Sequence, residues 1–324
     1  MRRASGRLAT MVDNPTAVLV ADGVRDEGCA WHWSDPLGEQ RLIAQGFGSL
    51  AFAHRTIISI TGTERLSYLH SLTTQHLTSL AAGESALTLN LNMQGFVLHE
   101  MHVIDDGATA WVIAEADART ELFTYLTRMR FRLELDVVDH TEDFAIVWQP
   151  VAEKHPEFLS WIAPYGSRWP ARELIVPRDR VDDVVGAQPV GIWAYNAMRI
   201  AAGIPRQGYE TDHHTLAHEL GWIDSAVHLN KGCYRGQETV SKVARMGQPP
   251  RRLTLLHFDG TEETLPAPGT DVSFEGKNIG FLGTAAWHYE LGPIGLAVIK
   301  RNVAEESVLD VLTMKASQEI VVNV

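Results

Sequence analysis

Lys231-Gly232-Cys233-Tyr234-Arg235-Gly236-Gln237-Glu238 sets a cysteine, two basic residues, two glycines, a phenol, an amide and a carboxylate in eight consecutive positions. Ordinary core packing does not demand such a density of chemistry. The glycines let the backbone turn tightly, adopt positive φ or approach a neighbour closely. The following segment, Thr239 to Met246, has apolar residues at helix-compatible spacing, so Cys233 is expected just before a helix N-terminus. A positive helix end with Lys231 and Arg235 nearby favours the thiolate, the form that attacks, ligates metal or is oxidised. The competing reading is a small buried residue, as most free cysteines are.

Working outward, the chain of 324 residues is long enough for two domains or three small ones, and its 45% apolar content supports real cores. Its 28 basic residues against 40 acidic ones, a net charge of −12, argue against nonspecific nucleic-acid binding, which depends on neutralising phosphates. Cys29 and Cys233 are the only cysteines. A disulfide framework is not expected, and a reducing cytoplasm is the natural setting. Two cysteines also fall short of a four-thiolate iron–sulfur site, so any cluster needs other ligands or a partner. No apolar run approaches a membrane span. The basic start, Met1 to Arg7, lacks an apolar stretch behind it and reads as a leader rather than a signal peptide, with Met11 offering a second start.

Ala17 to Val20 reads as a short strand, and the segment from there to about Gln40 as loop. Arg55 to Gly62 is strand-like, and Thr63 is placed to cap a helix with Leu66, Tyr68, Leu69 and Leu72. Two alternating strands, 86–92 and 96–104, read as a hairpin with Gly95 at its turn. Trp111 to Ala114 adds a strand, Asp117 is expected to cap a helix bearing Leu122, Leu126 and Met129, and Arg132 to Val138 closes the unit. That order is an α+β pattern of ferredoxin-like type. A second α+β unit starts at Phe144, with loops and edge strands from Trp161 to Pro177. The helix Val190 to Ala202 is ended by Gly203, and Pro205 forbids its continuation. After Pro249-Pro250, five short strands (252–258, 271–274, 279–284, 295–299 and 308–311) with Gly/Pro turns point to a small β-barrel.

The octapeptide resembles the K-G-C-Y-x-G-Q-E signature of the YgfZ family, folate-binding relatives of the glycine-cleavage T-protein (aminomethyltransferase) implicated in iron–sulfur cluster assembly or repair. Met198 to Pro205 resembles the R-x-E-A-G-I-P helix end of that group, Asn92-Met93-Gln94-Gly95 its N-x-x-G hairpin, and Gly280 to Thr284 its barrel strand. The resemblance spans roughly residue 50 to the C-terminus. It implies a T-protein-like α+β fold: two ferredoxin-like modules around a central channel plus a C-terminal β-barrel. The modules would be 17–62 with 141–246, carrying Cys233, then 63–140, with the barrel at 247–324. Tetrahydrofolate or a derivative would lie in the channel, lined by the Asn92 hairpin.

The resemblance breaks at two positions. Where T-proteins carry an acidic pair after the hairpin, this chain has His99-Glu100, and the glutamate of the helix end is Ala201. Aminomethyl transfer needs a carboxylate to assist the folate nitrogen, so classical transferase chemistry is not expected. Asp212 or Glu219 could replace the carboxylate missing at Ala201.

The site residues expected for the thiol are Cys233, Lys231, Tyr234, Arg235, Gln237 and Glu238. Those expected for folate are Asn92, Gln94, His99, Glu100, Arg199, Arg206, Trp193 and Trp222. The arginines suit the carboxylates of a glutamate tail, and the tryptophans suit stacking on a pterin. Asp212-His213-His214, His218-Glu219 and His228 invite a metal, His214 and His218 having i, i+4 spacing. The run from Gln207 to His228 nevertheless reads as an exposed connection, and no metal is assigned. G-x-S-x-G, G-x-G-x-x-G and P-loop patterns are absent. The expected function is folate binding in support of iron–sulfur assembly. A one-carbon transferase or demethylase is the first alternative, and a redox or haem-binding adaptor the second. Expected partners are a reduced folate and iron–sulfur assembly or client proteins, with no membrane, and the protein is expected to be a monomer.

Overall fold

The computed structural model describes residues 17–151, 154–162 and 171–323. The basic leader and the start at Met11 lie outside them, as do 163–170 of the tryptophan-bearing stretch.

In chain order the strands are β1 (Val18–Leu19), β2 (Ala30–His32), β3 (Leu50–Phe52), β4 (Thr56–Thr61), β5 (Ser85–Leu91), β6 (Val97–Asp105), β7 (Thr109–Ala114), β8 (Asp136–Asp139), β9 (Phe144–Gln149), β10 (Ser160–Ile162) and β11 (Arg172–Pro177). They are followed by β12 (Arg251–Phe258), β13 (Asp271–Phe274), β14 (Lys277–His288), β15 (Gly292–Lys300), β16 (Leu309–Val311) and β17 (Met314–Ile320). The helices are α1 (Pro36–Ala44), α2 (Arg65–Leu72), α3 (Arg119–Met129), α4 (Val181–Val185), α5 (Ile192–Ala201), α6 (Trp222–Ala226) and α7 (Gln237–Met246).

The chain forms two compact units, one of residues 1–68, 79–86 and 101–195, the other of 69–78, 87–100 and 196–324. Three sheets supply the strands of the α+β part, ordered β5-β6-β7-β4-β8, β10-β11-β9-β3 and β1-β2. Five of the six positions of Thr56–Thr61 are buried, Ile57, Ile58 and Ile60 among them, and β4 lies between β7 and β8, paired along both edges. In the second sheet, Ala51, Ala145, Val147, Leu174 and Val176 pack with Val181 and Val185 of α4.

Within the second unit, β12-β15-β14-β13-β16-β17 close into a barrel, β12 pairing with β17 as well as β15. Closure leaves no sheet edge open, and Leu256, Val272, Leu282, Ile299, Leu309 and Met314 fill the interior. The fold is therefore α+β with a C-terminal barrel, as expected.

Several local expectations are corrected. The stretch read as loop to Gln40 holds β2 and the start of α1, which Asp35 caps by accepting from Gly38 N at 2.9 Å, an interaction worth about 1 kcal/mol. Asp117 does not cap α3. It lies in a 3-10 turn ahead of it and pairs with Arg25 at 2.7 Å, and Met129, read on the apolar face, is 40% exposed. β11 is no edge strand, because β10 and β9 flank it. The barrel has a sixth strand, β17, whose sequence MKASQEI is too polar on its outer face to stand out.

Candidate functional site

The geometry of the Cys233 loop is set by a meeting of two turns in the second unit. Asn92 closes the β5–β6 turn: its Oδ1 accepts from Gln94 N at 2.9 Å and Phe96 N at 3.0 Å. Gly95 and Gly236 sit at φ 84° and 81°. A Cβ on Gly95 would lie 2.7 Å from Thr239 Cβ, and one on Gly236 only 2.7 Å from Asn92 O and 2.8 Å from Gly95 Cα. Only glycine satisfies both the conformation and the approach. Gly236 is also the N-cap of α7, which starts two residues earlier than its apolar spacing suggested and four residues after Cys233.

Lys231 anchors the other end of the loop. Its buried ammonium donates to the carbonyls of His70, Thr73 at 2.6 Å and Gln75 at 3.0 Å. These include a carbonyl in the last turn of α2, where intrahelical donors run out. Its Nζ also lies 5.3 Å from the centre of the Tyr234 ring. The Lys231 carbonyl in turn accepts from Gln237 Nε2 at 3.3 Å, tying α7 to the loop.

Between these anchors Cys233 is exposed and free, with exposed Arg235 and Glu238 on the same stretch. Tyr234 points inward: it is 8% exposed, and burial pushes its phenol up to about 12.

Arg199, expected for structure or ligand, is 1% exposed. Its guanidinium donates to Asn196 Oδ1 at 2.8 Å, Ile204 O at 3.0 Å, Glu210 Oε2 at 3.1 Å and Thr284 Oγ1 at 2.5 Å. So enclosed, it fixes the end of α5 against the barrel and does not grip a ligand carboxylate. Glu210, fully buried, is the residue that sequence reasoning missed. It also accepts from Arg206 N at 2.8 Å and Thr284 Oγ1 at 2.6 Å, and a Cβ on Gly283 would lie 2.5 Å from its Oε1. Arg206 is buried with its guanidinium over the Tyr209 ring, 5.3 Å from its centre.

Asp212 and Glu219 are taken by Arg251 of β12: Nη1 to Asp212 Oδ2 at 2.6 Å, Nη2 to Glu219 Oε2 at 2.8 Å and Nε to Glu219 Oε1 at 2.9 Å. Burial works to raise the Asp212 carboxyl, but Arg251, the His214 N–H and the Thr215 hydroxyl outweigh it and hold the group at about 2. Both carboxylates are thus engaged by Arg251.

The run from Gln207 to His228 is not an exposed connection. Glu210, Thr215 to Leu220 and Trp222 are buried. His214 and His218 do not share a helix, since only a 3-10 turn, Ala217–Leu220, forms there. His214 packs edge-on to Phe96 with ring centres 5.2 Å apart. His99 is buried on β6, while the Glu100 N–H donates to Gln207 Oε1, whose amide returns to Leu98 O at 2.9 Å. Gln94 is exposed at the hairpin tip. Trp193 belongs to the first unit, stacked on Trp31 at 5.7 Å and 17°, whereas Trp222 lies in the second and is 1% exposed.

Three buried polar groups of this second-unit segment make no hydrogen bond among the described residues: Trp222 Nε1, the Tyr234 hydroxyl and both ring nitrogens of His218. Each unpaired buried group costs about 1–3 kcal/mol. A polar, planar ligand with donors and acceptors along its edge would relieve that cost. A pterin is a ligand of that kind.

No protein-family model matches the chain. The chain is 21% identical over 304 residues to an aminomethyltransferase of Herpetosiphon aurantiacus, covering 82% of this chain and 81% of that one. It is 24% identical over 324 residues to a mitochondrial iron-sulfur cluster assembly factor IBA57 homolog of Chaetomium globosum, covering 81% and 73%. A chloroplastic protein of Arabidopsis thaliana named as a transferase is 32% identical over 120 residues, and the match spans 37% of this chain and 27% of that relative. Among solved structures, the glycine cleavage system aminomethyltransferase T of Bartonella henselae superposes with a TM-score of 0.80, at 16% identity, over 97% of this chain and 95% of that one. The chain has the aminomethyltransferase T fold.

Proposed function

We propose that the protein binds a reduced folate and assists iron–sulfur cluster assembly or repair, with Cys233 as its functional thiol. The observation that carries this reading is a free, exposed thiol on a loop clamped at both ends, by Lys231 on three carbonyls and by Gly236 on the hairpin. Supporting it are relatives named as iron–sulfur assembly factors and a fold shared with a glycine cleavage system aminomethyltransferase T.

In this reading a cluster is cargo. Cys233 offers one thiolate, and the remaining ligands come from a partner protein, because the chain holds only one other cysteine. Tetrahydrofolate, when bound, supplies a planar pterin and an anionic tail. His218, Trp222 and Tyr234 hold the pterin through the polar groups left unpaired among the described residues, and the hairpin of Asn92 and Gln94 borders the loop. Arg206 remains the arginine proposed for the tail, since Arg199 is enclosed. A reducing compartment, the cytoplasm, goes with this reading. Among the described residues no helix is long and apolar enough to cross a membrane.

The transferase alternative is weaker on the same geometry. The acidic pair is His99-Glu100, and the nearby carboxylates Glu210, Asp212 and Glu219 are all bound to arginines. Calorimetry with tetrahydrofolate is the test: saturable binding of one folate per chain without turnover of aminomethyl or methyl donors is the expected result. Absence of binding would overturn the folate half of the proposal, and turnover would favour the transferase.

A further inference from the structure

The first unit holds a second group of chemistry-bearing side chains that the reading above does not use. The turn between β1 and β2 puts Asp26 in the left-handed region at φ 69°, and Cys29 N donates to Asp26 O at 3.0 Å. This non-glycine strain, of about 1–3 kcal/mol, brings two side chains of one turn onto His54. Cys29 Sγ lies 2.9 Å from His54 Nδ1, and Asp26 Oδ1 lies 2.8 Å from His54 Nε2. Glu115, at the end of β7, completes the group. One ligating atom from each of Asp26, His54 and Glu115 falls within 4.8 Å of the others. Cys29, Asp26 and Glu115 are 0%, 3% and 5% exposed. Arg55 flanks the group, 3.4 Å from both Glu115 and Glu173.

Thiol, imidazole and carboxylate in a row also suggest a nucleophile with its base. Cys29, however, is sealed from solvent, and no substrate carbonyl reaches it. A bare ion is small enough for such a place, and two converging buried carboxylates favour a cation between them. Imidazole with carboxylates suits first-row transition cations, and a ligating histidine ordinarily gives its other ring N–H to an acceptor that fixes the tautomer. We propose that His54 Nε2, Asp26 and Glu115 bind one divalent transition-metal ion, with Cys29 accepting the N–H of His54 Nδ1.

The test uses the full chain, stripped with a chelator and titrated with zinc against a chromophoric competitor. Asp26→Asn and Glu115→Gln are compared with the wild type, and His76→Gln controls for the exposed histidines. The expected result is one zinc per chain, bound at least about ten-fold more weakly by either ligand variant and unchanged in His76→Gln. Circular dichroism verifies that each variant folds. Should a ligand variant fail to fold, X-ray absorption of the zinc-loaded wild type still decides, with nitrogen and oxygen neighbours around the zinc and no sulfur. No stoichiometric binding, equal affinity in the ligand variants, binding lost in His76→Gln, or sulfur bound to the zinc would overturn the site.

Discussion

Gly95 and Gly236 face each other across the hairpin and the cysteine loop, so close that a Cβ on Gly236 would lie 2.8 Å from Gly95 Cα. Backbone, rather than flexible side chain, occupies that space. The thiol-bearing loop is therefore positioned by main-chain contact, which leaves Cys233 exposed on a stiff support.

Gly236→Ala is expected to lower stability by about 1–3 kcal/mol, from the positive φ together with displacement of the Asn92 carbonyl. Urea unfolding measures the loss. An unchanged midpoint would mean that the two turns are not pressed together.

Lys231→Met keeps the aliphatic stem and strips the ammonium from three carbonyls. We expect a cost of about 2–4 kcal/mol, since buried acceptors lose a charged donor. Arginine should not rescue it, because a planar fork does not match three convergent acceptors. If Lys231 acts mainly as this anchor, alkylation of Cys233 in the folded variant keeps its wild-type pH profile. A profile moved to higher pH would assign the ammonium to the thiolate instead.

Tyr234→Phe separates ligand from fold. The hydroxyl is buried and unpaired among the described residues, so its removal should leave the folate-free protein as stable or slightly more stable. Folate affinity should drop several-fold. Loss of stability with unchanged affinity would remove Tyr234 from the folate site.

The Asp212–Arg251 pair makes stability fall in acid. The carboxyl is held near 2 in the folded chain, against about 4 unfolded. Its contribution is thus present above the unfolded value and is lost as pH falls through the folded one. With Asp212 at 35% side-chain exposure, about 1–2 kcal/mol is a suitably discounted size. Asp212→Asn should flatten the decline in thermal midpoint between pH 4 and pH 2, and an unaltered decline would place it elsewhere.

These residues also mark what the sequence could and could not disclose. α5 was legible because burial imposes a period on its residues, β4 because a strand buried along its length is rich in β-branched residues, and the Gly95 turn because positive φ selects glycine. Helix α1 carried a usable signal, Asp35-Pro36 at its start, that its weakly amphipathic body obscured. Glu210 had none: its partners Arg199 and Thr284 lie 11 and 74 positions away, and a buried carboxylate looks locally like a loop residue. The carbonyls that hold Lys231 lie 156 to 161 positions away, so a lysine read as an electrostatic neighbour of the thiol could not be recognised as a clamp. The Cys29, His54 and Asp26 grouping was hidden for the same reason, being assembled by a turn and a strand end with no shared motif.

Complementation bears on the role of Cys233 as the functional thiol. In a strain lacking the protein, the activity of an iron–sulfur enzyme would be measured after expression of the wild type or of Cys233→Ala at equal levels. Restoration is expected from the wild type and not from the variant, with both folded to the same midpoint. Full restoration by Cys233→Ala would contradict it.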